Sequence, residues 1–257
     1  MSHTHRELEL LEALKRLGGS ARNADLAHAL DVSEETVRRT VKALSITSDV
    51  ERVRGGAYLA GTQSEPSFFR RISLRSDEKR LIASVVADVV EDGMTIYLDV
   101  GSTTAYVAEE LRQHKNLTVV TNSIGVAQTL VHINNNKVHL LGGEMQGNER
   151  GTFGHVTTRQ VQRFVIDMAV LSLDGVSQSR GFLYQNSVEA DLSCAIAELA
   201  DQVLIAFDHG KLGENAPYVG PDPRRVSYVV TDRAPEEPFA TSFANWGIES
   251  LVASENA

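Results

Sequence analysis

The sequence predicts an α/β protein in which a small, mainly helical N-terminal domain precedes a larger domain with a mainly parallel sheet. Residues 1–59 contain three apolar-periodic segments and a hairpin signal, whereas the chain after residue 94 alternates strand-like runs with helical ones. Charge divides the chain similarly. Residues 1–80 contain 14 Lys and Arg against 12 Asp and Glu, and residues 81–257 contain 11 against 22. The net charge of −9 therefore lies in the second domain and does not exclude nucleic-acid binding by the first.

Three helices are predicted before residue 45. Leucines 10, 14 and 17 form an apolar stripe over residues 5–17, and Gly18-Gly19 ends this helix. Asn23 can cap a short second helix that runs to Leu30. The third helix follows after the turn at Asp31-Val32, which gives the order of a helix-turn-helix.

The third predicted helix, residues 32–44 (VSEETVRRTVKAL), has one apolar and one cationic face. Ser33 is a good N-cap, and Glu34 and Glu35 place negative charge at the positive end of the helix dipole. At about 100° per residue, the narrow apolar stripe is Val37, Val41 and Leu44, and the residues roughly 100 to 200° away are Arg38, Arg39 and Lys42. Such a face can contact phosphates, with Arg or Thr36 at base edges in the major groove. An ordinary solvated helix has the same pattern.

Residues 50–59 supply a wing for this helix-turn-helix. Two short extended runs around Gly55-Gly56 predict a hairpin, in which Arg52 and Arg54 can contact backbone phosphate or a minor groove. A surface hairpin without a partner is the alternative. The full predicted DNA-contacting set is Ser33, Glu35, Thr36, Arg38, Arg39, Lys42, Arg52 and Arg54.

The larger domain follows a linker. We expect a winged helix-turn-helix domain at 1–60, a linker at 61–76 and an α/β domain at 77–257. A capped helix over residues 77–90 is predicted to begin that domain, and a helix and a short strand to end it within 239–252. The predicted strands between them are 95–99, 117–121, 137–141, 168–173, 202–207 and 226–231.

The loops after these strands are polar and rich in glycine. In open parallel sheets ligands bind beyond the carboxyl ends of the strands, and the sequence GSTT at the start of a predicted helix suits an anion such as phosphate. Lys211 could neutralise a phosphate, and carboxylates or amides could bind sugar hydroxyls. The candidate effector-binding residues are Asp99, Gly101, Ser102, Thr103, Thr104, Asn122, Ser123, Gly142, Gly143, Asp174, Glu189 and Lys211. Each also suits an ordinary role as a turn residue, a helix cap or a solvated charge.

Motifs in both halves resemble the DeoR family of bacterial transcriptional regulators. VSEETVRR followed by RVRGGAYL is similar to the family's winged helix-turn-helix, which usually reads VSEETIRRDL and then RxHGGA. LDVGSTT, VVTNS, LLGGE, DGV and DHGKLG resemble its sensor domain, so the similarity spans nearly the whole chain. Thr40 stands where the family usually has Asp, and Arg54 where it often has His, so operator sequence and local ion pairing can differ.

The resemblance implies a function for the polar strand ends. The family's sensor domain is similar to sugar-phosphate isomerases and CoA transferases, and it binds phosphorylated sugars or related metabolites. On that basis residues 99–104 and Lys211 are expected on the ligand-binding rim. We predict a repressor of a sugar or polyol catabolic operon that is controlled by a phosphorylated sugar or related metabolite and is not an enzyme.

Two other functions are compatible with the sequence. One is a sugar-phosphate isomerase-like enzyme with an accessory DNA-binding domain, which would need Glu189 or Asp174 as a general base. The other, DNA binding with a protein-interaction domain, explains the polar strand ends poorly. The expected partners of the regulator are double-stranded operator DNA, the phosphorylated effector and further copies of the chain in a dimer or tetramer that reads repeated half-sites.

Other classes of site are not expected. The only cysteine, Cys194, cannot form an intrachain disulfide, which fits a reducing cytosol. Only His3 and His5 are closely spaced among the histidines, so no metal is predicted, and no cofactor either. The most apolar run, residues 81–90, is short and contains Asp88. We therefore expect a cytoplasmic protein without a membrane partner.

Overall fold

The computed structural model describes residues 4–17, 20–47, 49–53, 55–59, 68–146 and 149–253. The chain divides into two compact units. The N-terminal unit comprises the chain up to Leu74 together with Glu149, and the C-terminal unit comprises Arg75–Gln146 and the chain from Arg150 onward. The boundary falls inside the predicted linker, whose last part contains a helix over residues 68–73.

The N-terminal unit contains the three predicted helices and the predicted hairpin. Its helices are α1 (His5–Arg16), α2 (Asn23–Ala29), α3 (Glu34–Ile46) and α4 (Phe68–Ser73), and its strands are β1 (Ser20–Arg22), β2 (Val50–Val53) and β3 (Gly56–Leu59). Strand β1 was not predicted; it pairs antiparallel with β3, so that the hairpin becomes a three-stranded sheet. Gly56 allows this pairing, because a Cβ there would meet the carbonyl oxygen of Ala21 at 2.5 Å.

Local sequence explains where these helices begin. Thr4 accepts from the backbone N–H of Glu7 while the Glu7 carboxylate accepts from the N–H of Thr4, a capping box that begins α1. The predicted capping role of Asn23 is wrong, because Asn23 is the first helical residue of α2 and its N-cap, Arg22, makes no side-chain cap bond. The apolar faces of α1, α2 and α3 form one core with β2. Its nearly inaccessible residues are Leu10, Leu14, Leu26, Val37, Val41, Leu44 and Val50.

The C-terminal unit is α/β. Its helices are α5 (Ser76–Val89), α6 (Ser102–Glu110), α7 (Ile124–Leu130), α8 (His155–Val161), α9 (Ser187–Leu199) and α10 (Phe239–Trp246). Its strands are β4 (Thr95–Leu98), β5 (Thr118–Thr121), β6 (Lys137–Leu140), β7 (Glu144–Gln146), β8 (Gly151–Phe153), β9 (Ile166–Leu171), β10 (Gly175–Ser177), β11 (Gly181–Tyr184), β12 (Ala200–Ala206), β13 (Tyr218–Val219), β14 (Tyr228–Thr231) and β15 (Glu249–Val252).

Seven of these strands form one sheet in the order β15-β14-β12-β9-β4-β5-β6. All of its pairings are parallel, which confirms the prediction, and each of the six predicted strands overlaps an observed one. The residues of its inner strands are divided between two buried apolar clusters. This explains why those strands read as continuous Val, Ile and Leu runs. The antiparallel pair β7-β8 and the three-stranded antiparallel sheet β10-β11-β13 were not predicted.

The strand order reverses between β4 and β9. The chain runs outward from β4 through β5 to β6, and then returns to β9 on the other side of β4 before continuing to β12, β14 and β15. The carboxyl ends of two neighbouring strands diverge at such a switch point and leave a crevice for a ligand. The fold therefore identifies the residues that directly follow β4 and β9 as the first to inspect.

Candidate nucleic-acid interface and effector site

Helix α3 divides into the two predicted faces. Ser33 is its N-cap: the Ser33 hydroxyl oxygen accepts a hydrogen bond from the Thr36 N–H at 3.2 Å. This confirms the predicted cap. The apolar stripe is buried, whereas Arg38, Arg39 and Lys42 are exposed. The helix thus turns three cations to solvent at no cost in core packing.

The three cations are not equivalent. The guanidinium of Arg38 lies 3.0 Å from the Glu34 carboxylate and 3.3 Å from that of Glu35. A phosphate that engages Arg38 has to displace these partners, and the two acids oppose its approach. Such exposed pairs are weak, so the exchange is inexpensive. The side chains of Arg39 and Lys42 have no hydrogen bond or ion pair with any described residue, so these two cations are more available than Arg38.

An open cleft lies between the start of α1 and the outer face of α3. It is lined by Thr4, Arg6, Glu7, Val32, Ser33, Thr36, Arg39, Thr40 and Ala43. Its lining contains two cations, Arg6 and Arg39, against one acid, Glu7, and the Arg6 guanidinium also lies 3.1 Å from the Glu9 carboxylate. Thr4 and Arg6 line this cleft but were not among the DNA contacts predicted from the sequence. The T-x-x-E spacing of Thr4 and Glu7 marks this helix start and could have identified them.

Thr40, which departs from the usual Asp of the family pattern, is bonded locally. It is buried in α3, and its hydroxyl donates to the Thr36 carbonyl at 3.0 Å. In the wing, Gly55 has φ +83°, a conformation that favours glycine, and Arg52 is exposed on β2. The prediction for Arg54 lies outside the described residues.

At the switch point of the large sheet, Asp99 bridges the ends of β4 and β9. Its Oδ2 accepts from the Ser172 backbone N–H at 2.6 Å and from the Ser172 hydroxyl at 2.8 Å. Its Oδ1 is buried without a partner among the described residues. Burial raises the pKa of Asp99 to about 6; the hydrogen bonds from Ser172 and the nearby Thr104 hydroxyl oppose the shift, and the Asp174 carboxylate adds to it. The site therefore holds a carboxylate whose second oxygen is unsatisfied, which is costly in a merely structural residue.

The GSTT loop has both structural and available groups. Thr104 is fully buried and accepts from the Gly101 N–H at 2.8 Å, while a Cβ at Gly101 would meet the Ser172 Oγ at 2.3 Å. Gly101 and Thr104 thus serve the packing of the loop. The hydroxyls of Ser102 and Thr103 at the start of α6 make no hydrogen bond to any described residue, so they are the members of the motif left for a ligand.

Two other predicted pairs are engaged in packing. The Asn122 amide accepts from the Tyr97 hydroxyl at 2.8 Å and donates to the Thr152 carbonyl at 3.0 Å, and Ser123 caps α7. Gly142 and Gly143 contact α8 and β8: the Gly142 N–H donates to Gln160, and a Cβ at Gly143 would meet the Thr157 hydroxyl at 2.2 Å and the Phe153 carbonyl at 2.5 Å. These residues hold the rim in shape, and the structure shows no direct contact between Gly142 or Gly143 and the Asp99 carboxylate.

Three predicted residues do gather near Asp99. Lys211 Nζ lies 3.9 Å from Asp174 Oδ1, a long pair that leaves the ammonium available for another anion, and Asp174 Oδ2 accepts from the Gln185 N–H at 2.9 Å. Glu189 lies in the first turn of α9. The carboxylates of Asp99, Asp174 and Glu189 all contribute to raising the pKa of Tyr184, although burial is the largest cause.

The sequence analysis missed two tyrosines of this cluster. Burial raises the pKa of both Tyr97 and Tyr184 well above the ordinary value, so both stay neutral donors. The Tyr184 hydroxyl is buried without a hydrogen bond of acceptable geometry to a described residue, although the Ser193 hydroxyl is near enough to oppose its pKa shift. No sequence signal marks them, because they lie within apolar strands that become neighbours of Asp99 only in the folded sheet.

Comparison with known proteins agrees with this architecture. The DeoR-like helix-turn-helix domain model matches residues 6–63, and the DeoR C-terminal sensor domain model matches residues 74–233. The chain belongs to the DeoR family. It is therefore a DNA-binding transcriptional regulator, and the resemblance expected from its motifs is confirmed.

Three similar relatives are named as repressors. The glycerol-3-phosphate regulon repressor of Escherichia coli K12 is 30% identical over 91% of this chain and 93% of its own length. The HTH-type transcriptional repressor CsqR of the same strain is 32% identical over 91% and 89%, and the repressor GlcR of Bacillus subtilis 168 is 28% identical over 88% of each chain. None of these three names describes an enzyme, which agrees with a regulator that does not catalyse a reaction.

Solved structures give only a distant likeness. Ribose 5-phosphate isomerase A from Methanocaldococcus jannaschii is 18% identical and covers 53% of this chain and 54% of its own, at a TM-score of 0.39.

Within the described ranges, no helix is both long and apolar enough to cross a membrane. The same residues contain no group of three or more His, Cys, Asp or Glu side chains placed to hold a metal ion.

Proposed function

We propose that this regulator is a cytoplasmic homo-oligomeric repressor whose effector is a phosphorylated sugar or polyol bound at the β4/β9 switch point. In this proposal residues 1–60 bind operator DNA, residues 61–76 join the two domains, and residues 77–257 bind the effector and assemble the oligomer. The observation that carries the effector site is Asp99, a buried carboxylate at a topological switch point with one oxygen unsatisfied.

The arrangement of charge supports a ligand with two different ends. Asp99, Asp174 and Glu189 can accept hydrogen bonds from hydroxyl groups, but they repel an anion. The start of α6 and the Lys211 ammonium favour an anion, and the Ser102 and Thr103 hydroxyls can donate to it. A polyol or sugar with one phosphate satisfies both ends. A neutral polyol satisfies only one.

Operator binding is proposed for the cationic face of α3 and the neighbouring cleft. Arg39 and Lys42 are exposed and available, Arg38 is released from its acid partners on binding, and Arg6 extends the cationic surface. Cations at this density neutralise phosphates and release counterions, while Thr36 and Arg39 are placed near the N-terminal half of α3 to reach base edges. Arg52 on the wing adds a further phosphate contact.

Calorimetry with matched ligands tests the effector site. The name of one relative suggests sn-glycerol 3-phosphate as a probe, and glucose 6-phosphate represents the phosphorylated sugars; each is compared with its neutral form, glycerol or glucose. We expect a phosphorylated probe to bind more tightly than its neutral form, and Lys211→Ala to weaken that binding by roughly 1.5 to 3 kcal/mol, because a charge-assisted contact is lost. The control is Arg112→Ala; Arg112 is exposed, and among the described residues its guanidinium pairs only with Glu109. Equal affinity for phosphorylated and neutral ligands would contradict the phosphate site.

The oligomeric state needs a separate measurement. A single winged domain reads a short DNA site, so two or four copies are needed for repeated half-sites. Multi-angle light scattering of the full chain, alone and on DNA, is expected to give a dimer or tetramer. A monomer at micromolar concentration in both conditions would contradict this part of the proposal.

A further inference from the structure

A cluster of charged side chains fastens the first residue of the C-terminal unit to the segment that carries Lys211. Arg75 precedes α5 and directly follows Leu74, the last residue before the boundary between the units. Its Nη1 lies 2.6 Å from Nε2 of His209, and its Nε lies 3.2 Å from Oδ1 of Asp208. The partners are 134 and 133 residues away in sequence, so this fastening is a tertiary feature and not a helix cap.

His209 is held in one orientation for this contact. Its backbone N–H and its ring Nδ1 both lie 2.6 Å from the Asp232 carboxylate. Burial alone would raise the pKa of Asp232, but these bonds from His209 hold it below the ordinary value, so the acid stays a charged acceptor. With Nδ1 donating to Asp232, the neutral ring presents Nε2 as an acceptor toward Arg75.

The chain conformation is adapted to the fastening at both ends. Arg75 has φ +51°, a left-handed conformation that costs energy in a residue other than glycine, and it makes no side-chain cap to α5. Gly210 leaves the space for the guanidinium: a Cβ there would lie 2.8 to 2.9 Å from three Arg75 atoms. Arg75 also serves the start of α5, because its carbonyl accepts from the Lys79 N–H at 3.1 Å and its Nη1 lies 3.8 Å from Glu78 Oε1. The space beside Gly210, by contrast, is explained by the guanidinium contact itself.

The same short turn faces the candidate effector site. Residues His209–Lys211 form a single 3-10 turn, and the Lys211 N–H donates to the Asp208 carbonyl at 2.9 Å. Lys211 is only loosely paired with Asp174 at 3.9 Å, so a ligand phosphate can draw it away. Because the Lys211 N–H is bonded to the Asp208 carbonyl, a ligand that shifts the backbone of Lys211 would also displace His209 and Asp208, which hold Arg75.

We propose that Arg75 is a positioning residue that couples the effector site to the start of the C-terminal unit, through the turn formed by Asp208, His209, Gly210 and Lys211. A ligand that shifts this turn changes the constraint on Arg75, and with it the path of the chain that enters from the DNA-binding unit. The coupling rests on the proposed effector site at Lys211, but the fastening of Arg75 can be tested without a ligand.

Two variants break the fastening in different ways. Arg75→Ala removes the guanidinium, and Gly210→Ala displaces it by contact while keeping every hydrogen-bonding group. Gly210 is not in the left-handed region, and the atoms that it would meet are the end of a flexible side chain, so the fold should tolerate the change. The matched controls are Arg112→Ala, and Gly125→Ala, whose new Cβ would lie at an ordinary contact distance of 3.7 Å from the Ser123 hydroxyl oxygen.

The first measurement is operator affinity without ligand, on DNA selected from random sequence by the wild-type protein. We expect each variant, but neither control, to shift this affinity by about fivefold or more, and the double variant to shift it no further than the singles. Hydrogen exchange at residues 76–80 should rise equally in both. Faster exchange with control-level operator affinity would show that the contact is only structural and would overturn the proposal.

The second measurement adds sn-glycerol 3-phosphate and glucose 6-phosphate. If a probe binds the wild type, it should bind both variants within about threefold of the wild-type affinity, yet its effect on operator affinity should be lost. A wild-type ligand effect that persists in both variants would overturn the proposal. If no probe binds the wild type, it is the effector proposal that fails for these compounds, and the ligand-free measurement still decides the role of Arg75.

Discussion

The N-terminal unit carries its candidate contacts on the outside of a helix, whereas the C-terminal unit carries them at a buried sheet edge. Arg39 and Lys42 are exposed, and the core below them is closed without their help. Asp99 is buried, has its pKa raised to about 6, and connects two strands through Ser172. The difference separates two kinds of recognition: surface cations can be removed without disturbing the fold, but the buried acid is part of the stability of its own domain.

The largest expected effect comes from the surface face. The double variant Arg38→Ala and Arg39→Ala should weaken operator binding by about 3 to 4 kcal/mol and reduce its salt dependence, because it removes two phosphate or base contacts. Its thermal unfolding should stay close to that of the wild type, since both side chains point to solvent. A salt titration of operator binding in a gel-shift assay measures the first effect.

The control for that variant is again Arg112→Ala, which removes an exposed arginine from the other unit. Operator affinity and salt slope equal to those of the wild type would contradict the assignment of α3 as the recognition helix. A large loss of stability in the double variant would instead break the comparison, because it would show that surface cations support the N-terminal core.

The second effect concerns the C-terminal unit, where a substitution is expected to increase stability instead of weakening binding. A pKa raised from 3.8 to about 6 means that ionised Asp99 destabilises the fold by about 3 kcal/mol above pH 7. The penalty is fully present above the folded pKa and disappears as the pH falls below the unfolded value. Asp99→Asn keeps an acceptor for Ser172, so it should stabilise the protein by up to about 3 kcal/mol at pH 7.5 and by roughly half of that at pH 5.

Denaturant unfolding at the two pH values checks this prediction, with Glu35→Gln as the exposed control in the other unit. Glu35 is 82% exposed, so its replacement should change stability by less than about 0.5 kcal/mol. A pH-independent effect of Asp99→Asn would mean that Asp99 is not the buried ionised acid described above. If the variant is more stable but binds the phosphorylated probe less well, the site has kept a destabilising charge for recognition.

This contrast also explains what the sequence could predict. The face of α3, its Ser33 cap and the six parallel strands follow from local periodicity, which burial in one helix or one sheet imposes directly. Two of the strands that were missed, β1 and β13, contain three and two residues and exist only through pairing with distant segments. Local pattern cannot report such pairing.

The candidate effector site could be predicted only in part from the sequence, for the same reason. The GSTT and DHGKLG segments are recognisable as polar, glycine-rich strand ends. The pattern cannot show which of their side chains are engaged in internal hydrogen bonds. The structure assigns Thr104 and Asn122 to internal hydrogen bonds, and it brings Tyr184 and Arg75 to residues far away in sequence. Such roles depend on neighbours that the switch-point topology creates.

The smallest expected effect tests the one residue that belongs to both categories. Ser33 caps α3 and also lines the cationic cleft, so it serves the fold and stands at the candidate DNA surface. Ser33→Ala should lose about 1 kcal/mol of stability, because the Thr36 N–H loses its acceptor. Ser33→Asp should restore that stability, since Asp is as good an N-cap, but it places negative charge where a phosphate is expected. Denaturant unfolding and gel shift, measured together, therefore separate the roles. If both variants bind operator like the wild type, Ser33 serves only the helix; if Asp restores stability while operator binding falls below that of the Ala variant, the helix cap itself lies at the DNA surface.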